Sequence, residues 1–296
     1  MQTQNKSDIG TTLRLRDGSV LGYAEYGDLS GQPVFLLHGY PDSRLVRHPD
    51  DALTASLGVR LIIPDRPGIG LSSFKPARSV LERVDDVGEL ADALGLSRFA
   101  VFGWSAGGPY AMACAYKFPE RLTRVGVACG FAPMDRPGST EGMTKQMQQG
   151  IALMRRLPWM TRLVTASLPG QYRKDPEKAF QKQFGQNLST ADALVLTQPE
   201  IRANLLEGAV EAMRQGARGP ALELELLFAR PWGFRSQEIR SEVYLWYGDA
   251  DALVPLQMGQ YLAAAIPHSH LIICHSQGHM LLVQRWEEIL RTLTGR

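Results

Sequence analysis

The chain has 296 residues, of which 44% are hydrophobic and 21% charged, with a formal net charge of +2. That length can bury a large core without metal or disulfide staples, and the near-neutral balance gives no reason to expect nucleic acid as a partner. No run of 18 apolar residues occurs, so no transmembrane helix is expected. The first ten residues, MQTQNKSDIG, are polar, lack an apolar signal core and read as frayed. Thr11 to Arg16 and Val20 to Tyr26 alternate around Asp17-Gly18, a hairpin pattern. Pro33 to Leu37 is a short continuous apolar run, as expected of a strand buried on both faces. A helix is expected over roughly Val46 to Leu57, a second buried strand over Val59 to Ile63, and an amphipathic helix over Val80 to Leu94. Phe99 to Trp104 and Val125 to Cys129 are further buried strands, with a helix over Pro109 to Phe118 between them. Strand and helix alternate, which implies an α/β fold with a mostly parallel sheet and helices on both faces.

The alternation stops between about Phe131 and Glu242, where helical patterns are punctuated by Pro158, Pro169, Pro176, Pro199, Pro220 and Pro231. It resumes at Val243 to Tyr247 and Leu271 to Ile273. The simplest organisation is an α/β core over 1–131 and 242–296 with an all-helical insertion over 132–241. Ligands bind at the C-terminal ends of the strands in such sheets, and the insertion would sit there. Three cysteines, Cys114, Cys129 and Cys274, lie in apolar runs and form no CxxC pair. They read as buried thiols of a reducing compartment, and the cytoplasm is the expected location.

Where the Phe99 strand meets the next helix stands Gly103-Trp104-Ser105-Ala106-Gly107. A serine hydroxyl is a poor nucleophile at neutral pH and needs exposure, a base and donors for the oxyanion it creates. A tight strand-to-helix turn pushes Ser105 outward and puts the next amides at a helix N-terminus. Gly103 and Gly107 then serve sterically, since a side chain at either would strike the neighbouring strand or helix.

With His38-Gly39-Tyr40-Pro41, Asp65-Arg66-Pro67-Gly68-Ile69-Gly70, Gly248 to Pro255 and Gly278-His279, the chain resembles the α/β-hydrolase superfamily, in its branch with a helical cap after the sixth strand. The resemblance implies a triad of Ser105, Asp251 and His279, with an oxyanion hole from the backbone N–H groups of Tyr40 and Ala106. It also implies that no cofactor or metal is required. Asp249 competes with Asp251 as the acid and reads as a turn residue, and Asp135 is a further alternative. His268, His270 and His275 stand close before His279, which suggests a metal cluster, but no carboxylate ligand accompanies them in sequence. Trp104 and the Tyr40 ring are expected to line the substrate pocket. His38 is expected to organise its loop by bonding to nearby backbone, Asp42 to brace the same loop, and Asp65-Arg66 to support the nucleophile turn from the side. Met143, Met147, Met154, Trp159, Met160 and Phe184 are candidates for an apolar wall in the cap, internal packing being the alternative for each. Arg155 to Arg162 reads as a solvated cap face before a membrane contact.

A serine at the nucleophile turn departs from the aspartate of haloalkane dehalogenases and epoxide hydrolases. The resemblance therefore points to a carboxylic-ester hydrolase acting on a small or medium, largely apolar ester or lactone. C–C bond hydrolases and cofactor-free haloperoxidases share the triad. Proline iminopeptidases use cap acids for a substrate amine, for which Glu223 and Glu225 are candidates, although exposed positions would also explain them. A ligand receptor on the same fold is the reading from another class. The expected partner is a small molecule, with no nucleic acid and no integral membrane association, and the protein is expected to be a monomer or homodimer.

Overall fold

A computed structural model describes residues 10–185 and 187–296. The expected fraying falls, for residues 1–9, outside them. The elements run β1 (Thr11–Arg14), β2 (Val20–Gly27), β3 (Gln32–Leu37), α1 (Asp51–Ser56), β4 (Val59–Pro64), α2 (Asp85–Ala93), β5 (Phe99–Trp104), α3 (Gly108–Lys117) and β6 (Leu122–Ala128). Seven helices follow: α4 (Lys145–Arg156), α5 (Met160–Ala166), α6 (Leu168–Lys174), α7 (Pro176–Phe184), α8 (Thr190–Val195), α9 (Pro199–Ala212) and α10 (Arg218–Phe228). The chain then returns to the sheet with β7 (Val243–Gly248), α11 (Leu256–Ala265), β8 (Ser269–Cys274), α12 (Leu281–Gln284) and α13 (Trp286–Thr294).

One eight-stranded sheet has the order β1-β2-β4-β3-β5-β6-β7-β8. The β1–β2 hairpin is antiparallel and β2 lies antiparallel to β4, while every pairing from β4 through β8 is parallel. Helices α1 and α13 touch each other and pack on one face; α3 and α11 cover strands of the same sheet. A strand covered on both faces must be apolar throughout, and all six residues of β5 are buried. Each fully buried Leu, Ile or Phe contributes about 1.5–3 kcal/mol. In α3 every residue from Gly108 to Ala115 is buried. Gly108 lets that helix approach the end of β6, since a Cβ there would lie 2.7 Å from the Cα of Gly130.

Two expected helices are shorter than the apolar spacing suggests. The stretch read as Val46 to Leu57 is helical only from Asp51, because Pro49 disfavours helical backbone at His48, and Asp50 accepts a hydrogen bond from the Leu53 N–H as the N-cap. The stretch read as Val80 to Leu94 opens with a single tight turn over Leu81–Arg83 before α2 begins. Among the described residues no strand falls between β6 and β7, and the insertion is an all-helical cap after the sixth strand.

Candidate active site

Four loops at the C-terminal ends of β3, β5, β7 and β8 build the site. β5 runs into Ser105, whose φ is +54°. A non-glycine residue in that region costs about 1–3 kcal/mol, and such strain persists only where the surroundings enforce it. Here the enforcement is steric. A Cβ on Gly107 would lie 1.9 Å from the Leu37 carbonyl oxygen, and one on Gly103 would lie 2.4 Å from the Gly107 carbonyl oxygen. Both glycines therefore do what the sequence pattern required of them.

Ser105 Oγ lies 2.9 Å from His279 Nε2, and His279 Nδ1 lies 2.8 Å from Asp251 Oδ2. The carboxylate can only accept, so Nδ1 carries the hydrogen and Nε2 is left to accept from the serine hydroxyl. Asp251 Oδ1 in turn accepts from the N–H groups of Leu253 and Val254 at 2.8 and 2.9 Å. Burial opposes a proton on His279, but the Asp251 carboxylate outweighs it and holds the imidazole above its ordinary value. Trp104 donates from Nε1 to the His279 carbonyl at 3.2 Å, and its ring lies 5.7 Å from the imidazole.

The competing acids and histidines lie elsewhere. Asp249 bonds to His275 Nδ1 at 2.9 Å and to the Ser276 N–H at 2.7 Å, as a turn residue. His270 pairs with Glu242 at the surface, His268 is exposed, and so is Asp135. These histidines do not converge. Among the described residues, the one group of three with metal-ligand spacing is Cys129, Asp251 and His279, within 4.8 Å of one another. Burial, then the neighbouring Asp251 charge, pushes the Cys129 thiol far up, so it is a poor source of the thiolate that a soft metal requires.

Tyr40 lies in the loop just after β3, beyond His38 and Gly39, and its N–H makes no hydrogen bond within the described residues. Gly39 lets this loop approach, for a Cβ there would lie 3.1 Å from the Trp104 ring and 3.5 Å from the Ser105 Cβ. His38 organises the loop as expected. Its Nδ1 bonds to the Gly39 carbonyl at 2.9 Å and its Nε2 accepts the Arg66 N–H at 3.3 Å. Burial, and then the Arg66 charge, holds this imidazole neutral, well below its ordinary range.

Asp65 and Arg66 do more than brace a turn. They do not pair with each other. Asp65 takes Arg44 at 2.9 Å, and Arg44 also reaches Glu211 of α9 at 2.7 Å. Arg66 donates to the carbonyls of His38 and Gly39 and pairs with Glu223 of α10. Glu223 and Glu225 are therefore not exposed acids. The first is bound to Arg66 and the second to Arg230 at 2.6 Å.

The cap closes an apolar cavity of about 340 Å³ over Ser105 and His279, lined also by Tyr40, Ala106 and Trp104. Of the six cap candidates, Met147, Met154 and Phe184 line it. Met143 is buried in the core instead, and Trp159 is 56% exposed. Met160 faces neither the cavity nor full solvent. Helical spacing alone cannot separate these outcomes. Arg155, Arg156 and Arg162 are exposed, as a solvated face requires. Asp42 braces its loop through the Ser43 N–H at 2.8 Å, and it also lines the cavity, which the sequence did not reveal. Asp192 was missed altogether. It is buried in α8 and bonds to the N–H of Met280, the residue after His279. No helix among the described residues is long and apolar enough to cross a membrane.

Residues 32–285 match the family described as the alpha/beta hydrolase fold. A pimeloyl-[acyl-carrier protein] methyl ester esterase of Aromatoleum aromaticum is 30% identical over 259 residues, 83% of this chain and 90% of that protein. Lipase 1 of Psychrobacter immobilis is 36% identical over 154 residues, 48% of this chain, and the match spans only 46% of that protein. Among solved structures, an esterase from Exiguobacterium antarcticum superposes with a TM-score of 0.72 at 20% identity, covering 97% of this chain and 98% of its own. At that identity the likeness establishes the fold.

Proposed function

Because the chain belongs to the α/β-hydrolase fold family, we propose that it is a serine hydrolase that cleaves carboxylic esters or lactones through an acyl-enzyme. One observation carries this reading: the unbroken line from Asp251 through His279 to Ser105, at 2.8 and 2.9 Å, on the floor of an apolar cavity. In the first half-reaction His279 Nε2 takes the Ser105 proton as Oγ bonds to the carbonyl carbon. The carbonyl oxygen gains charge and is held by the N–H groups of Tyr40 and Ala106. Collapse breaks the bond to the alcohol oxygen, which leaves with the proton from His279. In the second half-reaction water loses a proton to His279, attacks the acyl carbon and releases the acid, and the proton returns to Ser105. Asp251 stabilises the imidazolium that forms in each half. No step draws on a cofactor or metal.

Trp104 and the Tyr40 ring form part of the substrate wall in this proposal. Among the described residues no Lys or Arg lines the cavity, which favours an uncharged acyl group over the carboxylate substrates of C–C bond hydrolases. Glu223 and Glu225, bound to arginines outside the cavity lining, offer nothing to a substrate amine. The triad is complete within one chain, so the proposed mechanism asks for no assembly beyond a monomer or a homodimer, and sedimentation gives the oligomeric state. Three buried free thiols support a cytoplasmic protein, to be checked by fractionation.

The test is turnover of p-nitrophenyl esters from acetate to laurate. Sustained release is expected from the wild type. Ser105→Ala should lose roughly 10⁴-fold or more in kcat while keeping its fold. Equal activity in that variant would sink the mechanism, and a single burst without turnover would favour a receptor.

A further inference from the structure

We propose that Asp192, carried by the cap, is a positioning residue for His279: its carboxylate clasps the backbone that carries the imidazole and adds a second negative charge beside it. This rests on the reading of His279 as the catalytic base. Asp192 and His279 are both buried, at 0% and 5% exposure. Asp192 Oδ1 accepts the Met280 N–H at 2.7 Å. Its Oδ2 accepts from the Ser189 N–H at 3.1 Å and the Ser189 hydroxyl at 2.7 Å. The Ser189 Oγ accepts the Asp192 N–H in return, so the carboxylate is fixed within α8 as well as on the loop.

The glycine before His279 gains its reason here. A Cβ on Gly278 would lie 2.4 Å from both Asp192 carboxylate oxygens and from Ser189 Oγ. Only a bare backbone admits the cap carboxylate this close to the base. No lysine, arginine or histidine among the described residues pairs with Asp192. Its charge is therefore felt by the neighbouring imidazole, since a buried charge is little screened.

Every element around His279 supplies a neighbour. Ser105 and Trp104 come from the end of β5, Cys129 from the end of β6, Asp251 from the loop after β7, and Asp192 from α8. Burial disfavours the imidazolium; Asp251 favours it most, and Asp192 adds to the same side. The cap is thus part of the apparatus that sets the base, as well as a cover for the substrate. A cap that lifts from its seat would withdraw one of the two carboxylates.

Asp192→Asn tests this, because it keeps the shape and an acceptor while removing the charge. Two readouts apply: the NMR titration of the His279 ring, assigned by its loss in His279→Gln, and the pH profile of kcat/KM on p-nitrophenyl butyrate. With one carboxylate removed, the imidazolium is less stabilised and His279 holds its proton only to lower pH. The titration midpoint and the acid limb of the profile should both move down. The plateau of kcat/KM should fall roughly tenfold, part of the roughly 10²–10⁴-fold that general acid–base catalysis contributes. Ser189→Ala, which keeps the carboxylate, should lower the melting temperature and leave the midpoint in place. A folded Asp192→Asn protein whose His279 titrates as in the wild type would overturn the proposal. Loss of the fold in that variant would overturn it too, since the role would then be structural. If the wild type hydrolyses no ester, the proposed activity fails, while the titration still decides the case of Asp192.

Discussion

Asp42 is a carboxyl group in an apolar cavity with no cation among the described residues bonded to it, and burial pushes its proton affinity well above the carboxylate range. Among the described residues its Oδ1 accepts only the Ser43 N–H, and it fits against α9 because Gly208 has no side chain, a Cβ there lying 1.9 Å from Oδ1. A carboxyl whose folded value is raised favours the fold while protonated. That contribution is complete below the unfolded value near pH 4 and is lost as pH rises through the folded value. Asp42→Asn keeps the acceptor for Ser43 and has no charge to desolvate. It should therefore stabilise the protein at pH 8 by about 1–2 kcal/mol, or about 2–4 °C in melting temperature. The gain should shrink towards pH 4, and thermal unfolding at both pH values checks it. An advantage independent of pH would mean that Asp42 finds its stabilisation elsewhere. The contrast with Ser105 shows what sequence can convey at this scale. Ser105, Asp251 and His279 were legible because their local turns have their own residue grammar. Asp42 and Asp192 were not, because each matters through a contact between core and cap that spans more than 80 residues of sequence.

Element boundaries failed where a local rule overrode the apolar period, as Pro49 did at the start of α1. The central strands were legible because a strand covered on both faces is nearly all apolar, as β5 is throughout, and the β1–β2 hairpin because its turn residues mark it. The seating of the cap was not legible, because it depends on ion pairs between distant segments. Arg66 is the clearest of these. Its guanidinium holds the carbonyls of His38 and Gly39, just before the Tyr40 amide, and pairs with Glu223 of α10. The fork can hold two carbonyls in one plane, which an ammonium cannot do. Arg66→Lys keeps the charge beside Glu223 but loses that grip. In the proposed mechanism the Tyr40 N–H would then be less well aimed at an oxygen that carries charge only in the transition state. Steady-state kinetics on p-nitrophenyl butyrate should show kcat lowered roughly tenfold, with KM changed by less than about twofold. A change confined to KM would instead place Arg66 in ground-state binding.

At the scale of the whole molecule, the sheet supplies the reactive groups and the cap supplies most of the wall that selects what reaches them. The cavity of about 340 Å³ is near the lower end for small-molecule sites. Its shape depends on where cap aromatics meet core aromatics. Phe228, at the end of α10, stands edge-on to Phe131 beyond β6, with ring centroids 5.0 Å apart, and both line the cavity. Truncation to Phe228→Ala removes a ring from the wall without touching Ser105, His279 or the proposed oxyanion donors Tyr40 and Ala106. The space gained continues an existing apolar cavity, so a longer acyl chain can fill it. Each methylene buried there is worth about 0.8 kcal/mol. Two further methylenes would therefore raise kcat/KM for the longer ester roughly tenfold relative to the shorter one. The chain-length optimum of the p-nitrophenyl series should move upward in this variant, with kcat on acetate little changed because the reacting groups are untouched. An unmoved optimum would put the acyl chain against other parts of the lining, such as Met147, Ile151 and Phe184, and those positions would then govern its length.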